Sequence, residues 1–370
     1  MRSEPVDLVV VGAGIVGLAH AVAAERRGAS VVVLERDQRA VGASVRNFGH
    51  GCCTAQTGRA LAYADRARST WVAVGRDARF EVAECGTAVV ARADDEMAVL
   101  TELADERGDD VRLLDSRALL DLAPVAGADV VGGAHLVRDI RVDPRTTVAA
   151  IAAWLDTRPG VDVRFGENVA AVEPGLVRTA ADEVAARHTV VCLGHDVDRL
   201  FPAVAAAAGV QRCALQMLAV APPPGARFAP AVLSGLSLLR YPAFAACASA
   251  AAVRSRLSSE FPELLEAGMN LMCTQRPDGA LLIGDTHAYG RTLDPFDDEH
   301  LADLVLHETA RLLGVERFEI LERWRGVYAS APEDFLVAAP LDEVRVVSVT
   351  TGIGMTTAFG LAADVLDGLL

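Results

Sequence analysis

Apolar residues along the chain fall into two kinds of run. The first kind is short and nearly uninterrupted, as expected of strands buried on both faces of a parallel sheet: 6–11, 31–34, 189–193 and 344–349. The second recurs at helical spacing. Between Asp298 and Gly314, Leu301, Leu304, Val305, Leu312 and Leu313 alternate with charged positions, which predicts an amphipathic helix. An alanine-rich stretch predicts another from about residue 15 to Arg27, stopped by Gly28, and a last helix closes the chain at Leu370. Residues 88–91 and 217–221 read as further strands, Pro222-Pro223-Pro224 as a loop, and Arg276-Pro277-Asp278-Gly279 as a hairpin turn. No internal repeat is present.

Residues 8–24 are almost entirely apolar and have the length of a signal-peptide core, but Glu4 and Asp7 stand where such a signal is basic. Their glycines have another use. The strand at 6–11 runs directly into Gly12-Ala-Gly14-Ile15-Val16-Gly17, the helix comes next, and the second strand ends in Glu35-Arg36. This is a complete βαβ dinucleotide fingerprint. Gly12 makes the tight turn, Gly14 lets a pyrophosphate approach the backbone, and Gly17 lets helix and strand touch. Glu35 stands where a carboxylate accepts from ribose hydroxyls.

The segment after the fingerprint distinguishes the cofactor. An NAD domain continues into further βα units, whereas here a Gly/Ser/Asn-rich loop intervenes, Gly42-Ala-Ser44-Val-Arg46-Asn47-Phe48-Gly49-His50-Gly-Cys52-Cys53. The nucleotide fold resumes only at 189–194, ending in Gly194, and again at 344–360, where Gly352-Ile-Gly354-Met355-Thr356 opens the closing helix. A nucleotide fold assembled from three separated blocks points to FAD. The second helix start can hold negative charge on a reduced flavin.

Composition then narrows the chemistry. The 370 residues carry 35 basic side chains, all Arg, against 50 acidic ones, for a net charge of -15. With no Lys there is no Schiff base, no pyridoxal-phosphate anchor and no phosphate-loop lysine. The acidic balance argues against nucleic acid or an anionic membrane as partner. No apolar run after residue 24 is long enough to span a bilayer before Arg or an acid interrupts it. Seven irregularly spaced Cys fit a reducing cytoplasm better than a disulfide scaffold. The vicinal Cys52-Cys53 reads as buried small hydrophobes. No metal site is expected.

Over nearly its full length the chain resembles the D-amino-acid oxidase and glycine/sarcosine oxidase superfamily of FAD-dependent amine oxidoreductases. The resemblance rests on the fingerprint, the Ala-Ser then Arg-Asn-Phe-Gly loop and the Gly-x-Gly-Met-Thr helix start. A narrower resemblance, to the clade linked to aminophosphonate breakdown, rests on Gly42–Gly49, Leu215-Gln216-Met217, Ile283-Gly-Asp-Thr-His287 with Tyr289-Gly290, Arg323-Trp324-Arg325-Gly326-Val-Tyr328 and Gly354–Leu361. Two positions depart from the family pattern: His50-Gly-Cys-Cys replaces an apolar stretch, and Trp324-Arg325-Gly326 replaces Trp-His-Gly.

The resemblance implies an α/β fold. A Rossmann-like FAD domain (1–78, 138–210 and 326–370) interleaves with an α+β substrate domain (79–137 and 211–325) built on a mixed or antiparallel sheet. Cofactor contacts are expected from Gly12, Gly14, Ile15, Val16, Gly17, Glu35, Arg36, Ser44, Arg46, Asn47, Phe48, Gly49, Val169, Gly194, Gly352, Gly354, Met355 and Thr356. With no Cys after Cys273, non-covalent FAD is expected. The implied reaction passes hydride from the α-carbon of a small anionic amine to flavin N5, and water hydrolyses the imine. Oxygen or an electron carrier is the final acceptor.

An anionic substrate needs a local Arg. Arg46 and Arg325 sit in matched motifs, and His50, as a hydrogen-bond donor, joins them as candidate catalytic residues. Gln216, Arg240, Tyr241, His287 and Tyr328 are candidate substrate contacts. Gly284-Asp285-Thr286-His287 mimics a flavin motif of aromatic hydroxylases, but it lies about 80 residues too early and suits a substrate-domain hairpin. The substrate implied is a 2-aminoethylphosphonate derivative, N-methylated or 1-hydroxylated. Glycine/sarcosine or D-amino-acid oxidation, a flavin hydroxylase and a non-catalytic flavin-binding module stand as alternatives.

Overall fold

A computed structural model describes residues 4–370. β1 (Val6–Val11) is buried almost throughout and turns at Gly12, whose φ of 104° suits glycine. α1 (Ile15–Glu25) then packs back on the sheet, and β2 (Val31–Glu35) lies parallel to β1. A Cβ at Gly17 would stand 1.9 Å from the Gly12 carbonyl oxygen, so helix and turn meet only because the third glycine is bare.

Five parallel strands form the nucleotide sheet in the order Val161–Phe165, β2, β1, Glu183–Val191, Val344–Thr351. Their crossovers bring α1, the helix Pro144–Asp156 and the closing helix Gly354–Asp367 into a common apolar core. Trp71, on the helix Gly58–Asp77, donates from Nε1 to the Met355 carbonyl at 2.7 Å and packs edge-on against Phe359. The early and late blocks of the chain are thereby locked together.

The 22-residue strand Ile320–Leu341 joins the two halves. Its later part pairs antiparallel with Val344–Thr351 and its earlier part antiparallel with Gln211–Val220. The change of partner falls at 330–335. From Gln211–Val220 the same sheet continues through Leu281–Gly284, Met272–Gln275, Ala231–Leu233, Thr87–Ala91, Gly132–Leu136 and Val111–Asp115. This second half is mainly antiparallel and has its own core.

The Arg276–Gly279 turn joins the hairpin strands Met272–Gln275 and Leu281–Gly284, with Gly279 at φ 96°. The helix Glu299–Leu313 carries Asp298 as N-cap, accepting from the His300 amide, and left-handed Gly314 as C-terminal stop. None of the described helices is long and apolar enough to cross a membrane.

Candidate active site

One cavity of about 930 Å³ runs between the two halves, at the upper end of the roughly 300–1,000 Å³ usual for small-molecule sites. Its first arm lies over the carboxyl ends of the parallel strands, where open α/β sheets bind ligands. Two helix N-termini open onto it, at Gly14-Ile15-Val16 and at Gly354-Met355-Thr356. Their leading amides lack intrahelical acceptors and carry the positive end of the dipole.

Three glycines shape this arm. A Cβ would meet nothing within 4 Å at Gly194, only Ser44 Oγ at 3.2 Å at Gly14, and only Ile15 Cγ2 at 3.8 Å at Gly354. All three line the cavity, so side chains there would fill the cradle itself. Glu35 braces the turn, accepting from the Ala13 amide at 2.8 Å and the Asp37 amide at 3.1 Å. Arg36 donates to Asp196 at 2.8 Å, and Ser44 Oγ accepts from the Ile15 amide at 2.9 Å. Phe48, Arg46, Val169 and Gly352 complete the lining. Asn47 also reaches the cavity, although its amide builds the loop, donating to the Ala43 carbonyl and accepting from the Gly49 amide. A bare-backbone cradle with two helix N-termini and a carboxylate near the β2 end fits a dinucleotide such as FAD.

The other arm is closed by the second half of the molecule. Arg240 donates to Tyr289 Oη at 3.1 Å and to Tyr328 Oη at 2.7 Å. Burial opposes its charge, but Tyr328, Tyr289 and Asp285 outweigh that, so the guanidinium is held even more firmly protonated than usual. His287 donates from Nδ1 to the Gly268 carbonyl, 2.7 Å away, and burial with nearby Arg240 pulls it down to about 3. It is therefore neutral, with Nδ1–H donating. Burial pushes the Tyr241 and Tyr328 hydroxyls up, so both stay protonated.

His50 lines the same arm on a buried relay. Asp139 accepts from Thr87 Oγ1 at 2.8 Å and from the Thr54 amide and hydroxyl at 2.9 Å each. Burial would raise its pKa, but His50, Thr54 and Thr87 outweigh that and hold it below the ordinary value. Thr87 spends its proton on this carboxylate and so can only accept from His50 Nε2, at 2.7 Å. His50 therefore carries a proton on Nε2, and its Nδ1 has no hydrogen-bond partner among the described residues. His50→Ala should lower kcat/KM on the best amine roughly 5- to 10-fold, the scale of one hydrogen bond; unchanged turnover would remove His50 from the site.

Cys52 and Asp139 offer ligand atoms within 4.8 Å of a His50 ring nitrogen. The carboxylate is already engaged by Thr54 and Thr87, which links it to His50, and the neighbouring Cys52 thiol is pushed up well above its usual range by burial, so it stays protonated beside this hydrogen-bonded hub.

Four expected contacts lie elsewhere. Gln216 and Arg325 are cross-strand partners, as are Leu215 and Gly326, and Cys213 and Tyr328. Leu215, Gly326 and Tyr328 line the cavity, so strand alternation turns Gln216 and Arg325 to the opposite face. There Arg325 is held by Asp297 and by the Asp294 and Phe296 carbonyls. Gly17 packs helix on turn, and a Cβ at Gly49 would strike the Val142 carbonyl at 1.9 Å, so neither lines the cavity. Tyr289 lines the cavity beside its neighbour His287, a pairing the motif Ile283–Gly290 already suggests, whereas Asp285, Asn270 and Met272 reach it without a sequence signal that marks them as site residues.

A family model described as FAD dependent oxidoreductase (DAO) matches residues 7–367. No curated protein matches the chain. Among solved structures, the chain is similar to glycine oxidase from Geobacillus kaustophilus, with 19% identity and a TM-score of 0.78 over 99% of this chain and 95% of that one. It is similar also to L-proline dehydrogenase from P. horikoshii, with 18% identity and a TM-score of 0.79 over 99% and 95%. Iminodiacetate oxidase from Chelativorans sp. BNC1 gives 18% identity and a TM-score of 0.75 over 98% and 96%. At these identities the structural likeness concerns the fold.

Proposed function

Since the chain belongs to the DAO family of FAD-dependent oxidoreductases, we propose that it oxidises the C–N bond of a small amine bearing an anionic group, and that this group is a phosphonate. The observation that carries the reading is the Arg240 clamp at the closed arm of the cavity. Both tyrosine hydroxyls accept from the guanidinium, which leaves each of their protons free to point at an anion. One cation and two hydroxyl donors offer three donor groups, matching the three oxygens of a phosphonate better than the two of a carboxylate.

FAD, when bound, supplies the two-electron acceptor. The chain's part is to fix the anion at Arg240, hold the amine among Tyr241, His50 and Asp285, and keep water away from the buried wall. Covalent attachment is not expected through Cys52 or Cys192, the thiols at the cavity, since burial keeps both protonated. With no lysine to activate oxygen, final electron transfer to O₂ is expected to be measurable without being fast, and a carrier protein is the other acceptor.

Anaerobic bleaching of the flavin tests the reading. N-methyl- and 1-hydroxy-2-aminoethylphosphonate are expected to reduce it, and sarcosine, glycine and D-alanine to do so at least tenfold more slowly. Faster bleaching by the carboxylates would transfer the assignment to a glycine/sarcosine or D-amino-acid oxidase. No bleaching by any amine would end the amine-oxidising reading. Dye reduction without peroxide would mark a dehydrogenase.

A further inference from the structure

We propose that Asp285 is the proton acceptor for the substrate's ammonium group, so that the cavity selects a zwitterion with its anion on Arg240 and its amine on Asp285. The inference rests on the amine-oxidising reading above and adds to it the residue that generates the reactive free amine. An ammonium nitrogen has no lone pair and cannot release hydride from its α-carbon, so a proton must leave before oxidation.

Asp285 comes directly after the strand Leu281–Gly284, at the interruption before Ala288–Gly290, and both segments lie along Gln211–Val220. It is 5% exposed and lines the cavity. Asn270 fixes it from the segment just before the strand Met272–Gln275: the two backbones exchange N–H···O bonds at 2.8 and 3.0 Å, and Asn270 Nδ2 donates to Oδ1 at 3.1 Å. Oδ2 receives no hydrogen bond among the described residues; His287 Nε2 stands 3.9 Å away, beyond reach. A buried carboxylate with one oxygen positioned and the other unpaired lacks a donor, and an ammonium is the donor that also answers its charge.

The groups facing Asp285 leave it as the one that switches. Arg240 stays cationic, and His287 stays neutral because burial and Arg240 pull it down to about 3. Tyr241, beside Arg240, and Cys213, on Gln211–Val220, are pushed up by burial and stay protonated. Burial raises Asp285 itself to about 7, against the lowering effect of Arg240 and Asn270. The same burial lowers an ammonium's pKa, which narrows the gap between the two groups and eases the proton transfer. In the step, the N–H bond breaks, its electron pair stays on nitrogen as the lone pair, and the proton forms an O–H bond at Oδ2. It leaves to water before the next turnover.

Asp285 must be ionised to accept, so the reduction rate constant rises with pH through about 7 and then levels. The test is anaerobic flavin reduction between about pH 5 and pH 10 in the holoenzyme, using 2-aminoethylphosphonate, its N-methyl derivative and sarcosine. In the parent enzyme the rising limb should sit at the same pH for every amine. A limb that tracks each amine's own ammonium pKa would overturn the proposal.

Asp285→Asn keeps the acceptor for Asn270 and removes the base. It should lower the rate about 100-fold at pH 7 and recover toward the parent rate as the free amine becomes abundant. An equal loss at every pH would show a merely structural role. Binding to the oxidised enzyme, monitored through the flavin spectrum, separates the two readings. 2-Aminoethylphosphonate should bind up to about tenfold tighter at pH 8 than at pH 6 beyond any gain shown by ethylphosphonate, which lacks the amine and reports the phosphonate's own second ionisation. If no amine reduces the flavin, the amine-oxidising reading fails by itself. If the ammonium ligand shows no preference for the ionised site, the Asp285 assignment fails whatever the bleaching shows.

Discussion

Gly14→Val is expected to give a protein that folds and melts like the parent but is purified colourless, with FAD affinity reduced at least 100-fold. Gly14 caps α1 in an extended conformation, φ -72° and ψ 173°, which a β-branched residue adopts without strain. Its Cβ would touch only Ser44 Oγ at 3.2 Å. The added bulk therefore enters the cavity, in front of the helix amides that would hold a pyrophosphate. Losing two charge-assisted contacts of about 1.5–3 kcal/mol each accounts for the size of the effect.

Gly17→Val is the control with the opposite phenotype. Its Cβ would lie 1.9 Å from the Gly12 carbonyl oxygen and 3.2 Å from Val10 Cγ1, so α1 would have to leave β1. Loss of soluble protein is expected there. Thermal melting of the apoproteins and flavin absorbance after reconstitution check both. A Gly14→Val protein that still carries one flavin per chain would show that the cradle is not the cofactor site.

The contrast between these two glycines shows what a sequence can disclose about this fold. Both belong to one six-residue motif, and its local meaning, tight turn, open backbone and close packing, is complete within about thirty residues because the βαβ unit is local. The helix 299–313 was legible for the same reason, with Asp298 and Gly314 marking its ends. The closed arm is different. Arg240, Tyr328 and Asp285 come from separate elements, and which side chains of a strand face the cavity depends on register. A shift of one residue exchanges the faces. Gln216 and Arg325 sit beside Leu215 and Gly326 in motifs that do reach the site, and they miss it together because they are partners across the sheet. Asp285 carried a visible signal in Gly-Asp-Thr-His. That signal could not be interpreted without Asn270, fifteen residues earlier, which pairs with it through backbone and side chain.

Arg240→Met should lower kcat/KM for an anionic amine about 10²- to 10³-fold while leaving flavin content and the visible spectrum unchanged. Arg240 is exposed to the cavity, an anion seated on it would cover the pair, and truncating one member of such a covered pair costs about 2–5 kcal/mol, each 1.4 kcal/mol being a factor of ten. The other arginines at the cavity have other positions or partners. Arg36 is bound to Asp196, Arg199 stands 4.0 Å from Asp198, and Arg46 belongs to the loop of the cofactor arm, 3.5 Å from the Arg325 carbonyl. Among the described residues, Arg240 is the arginine at the closed arm, and His287 is neutral there. Arg240→Lys should recover only part of the loss, because a point charge cannot donate to Tyr289, Tyr328 and an anion from a planar fork. An amine that lacks an anionic group, such as N-methylpropylamine, distinguishes binding from folding. If it reduces the flavin of parent and variant at the same slow rate while the phosphonate loses its advantage, Arg240 is the anion site. If both amines lose equally, the clamp serves only to hold Tyr289 and Tyr328 in place, and if neither changes, Arg46 becomes the residue to replace.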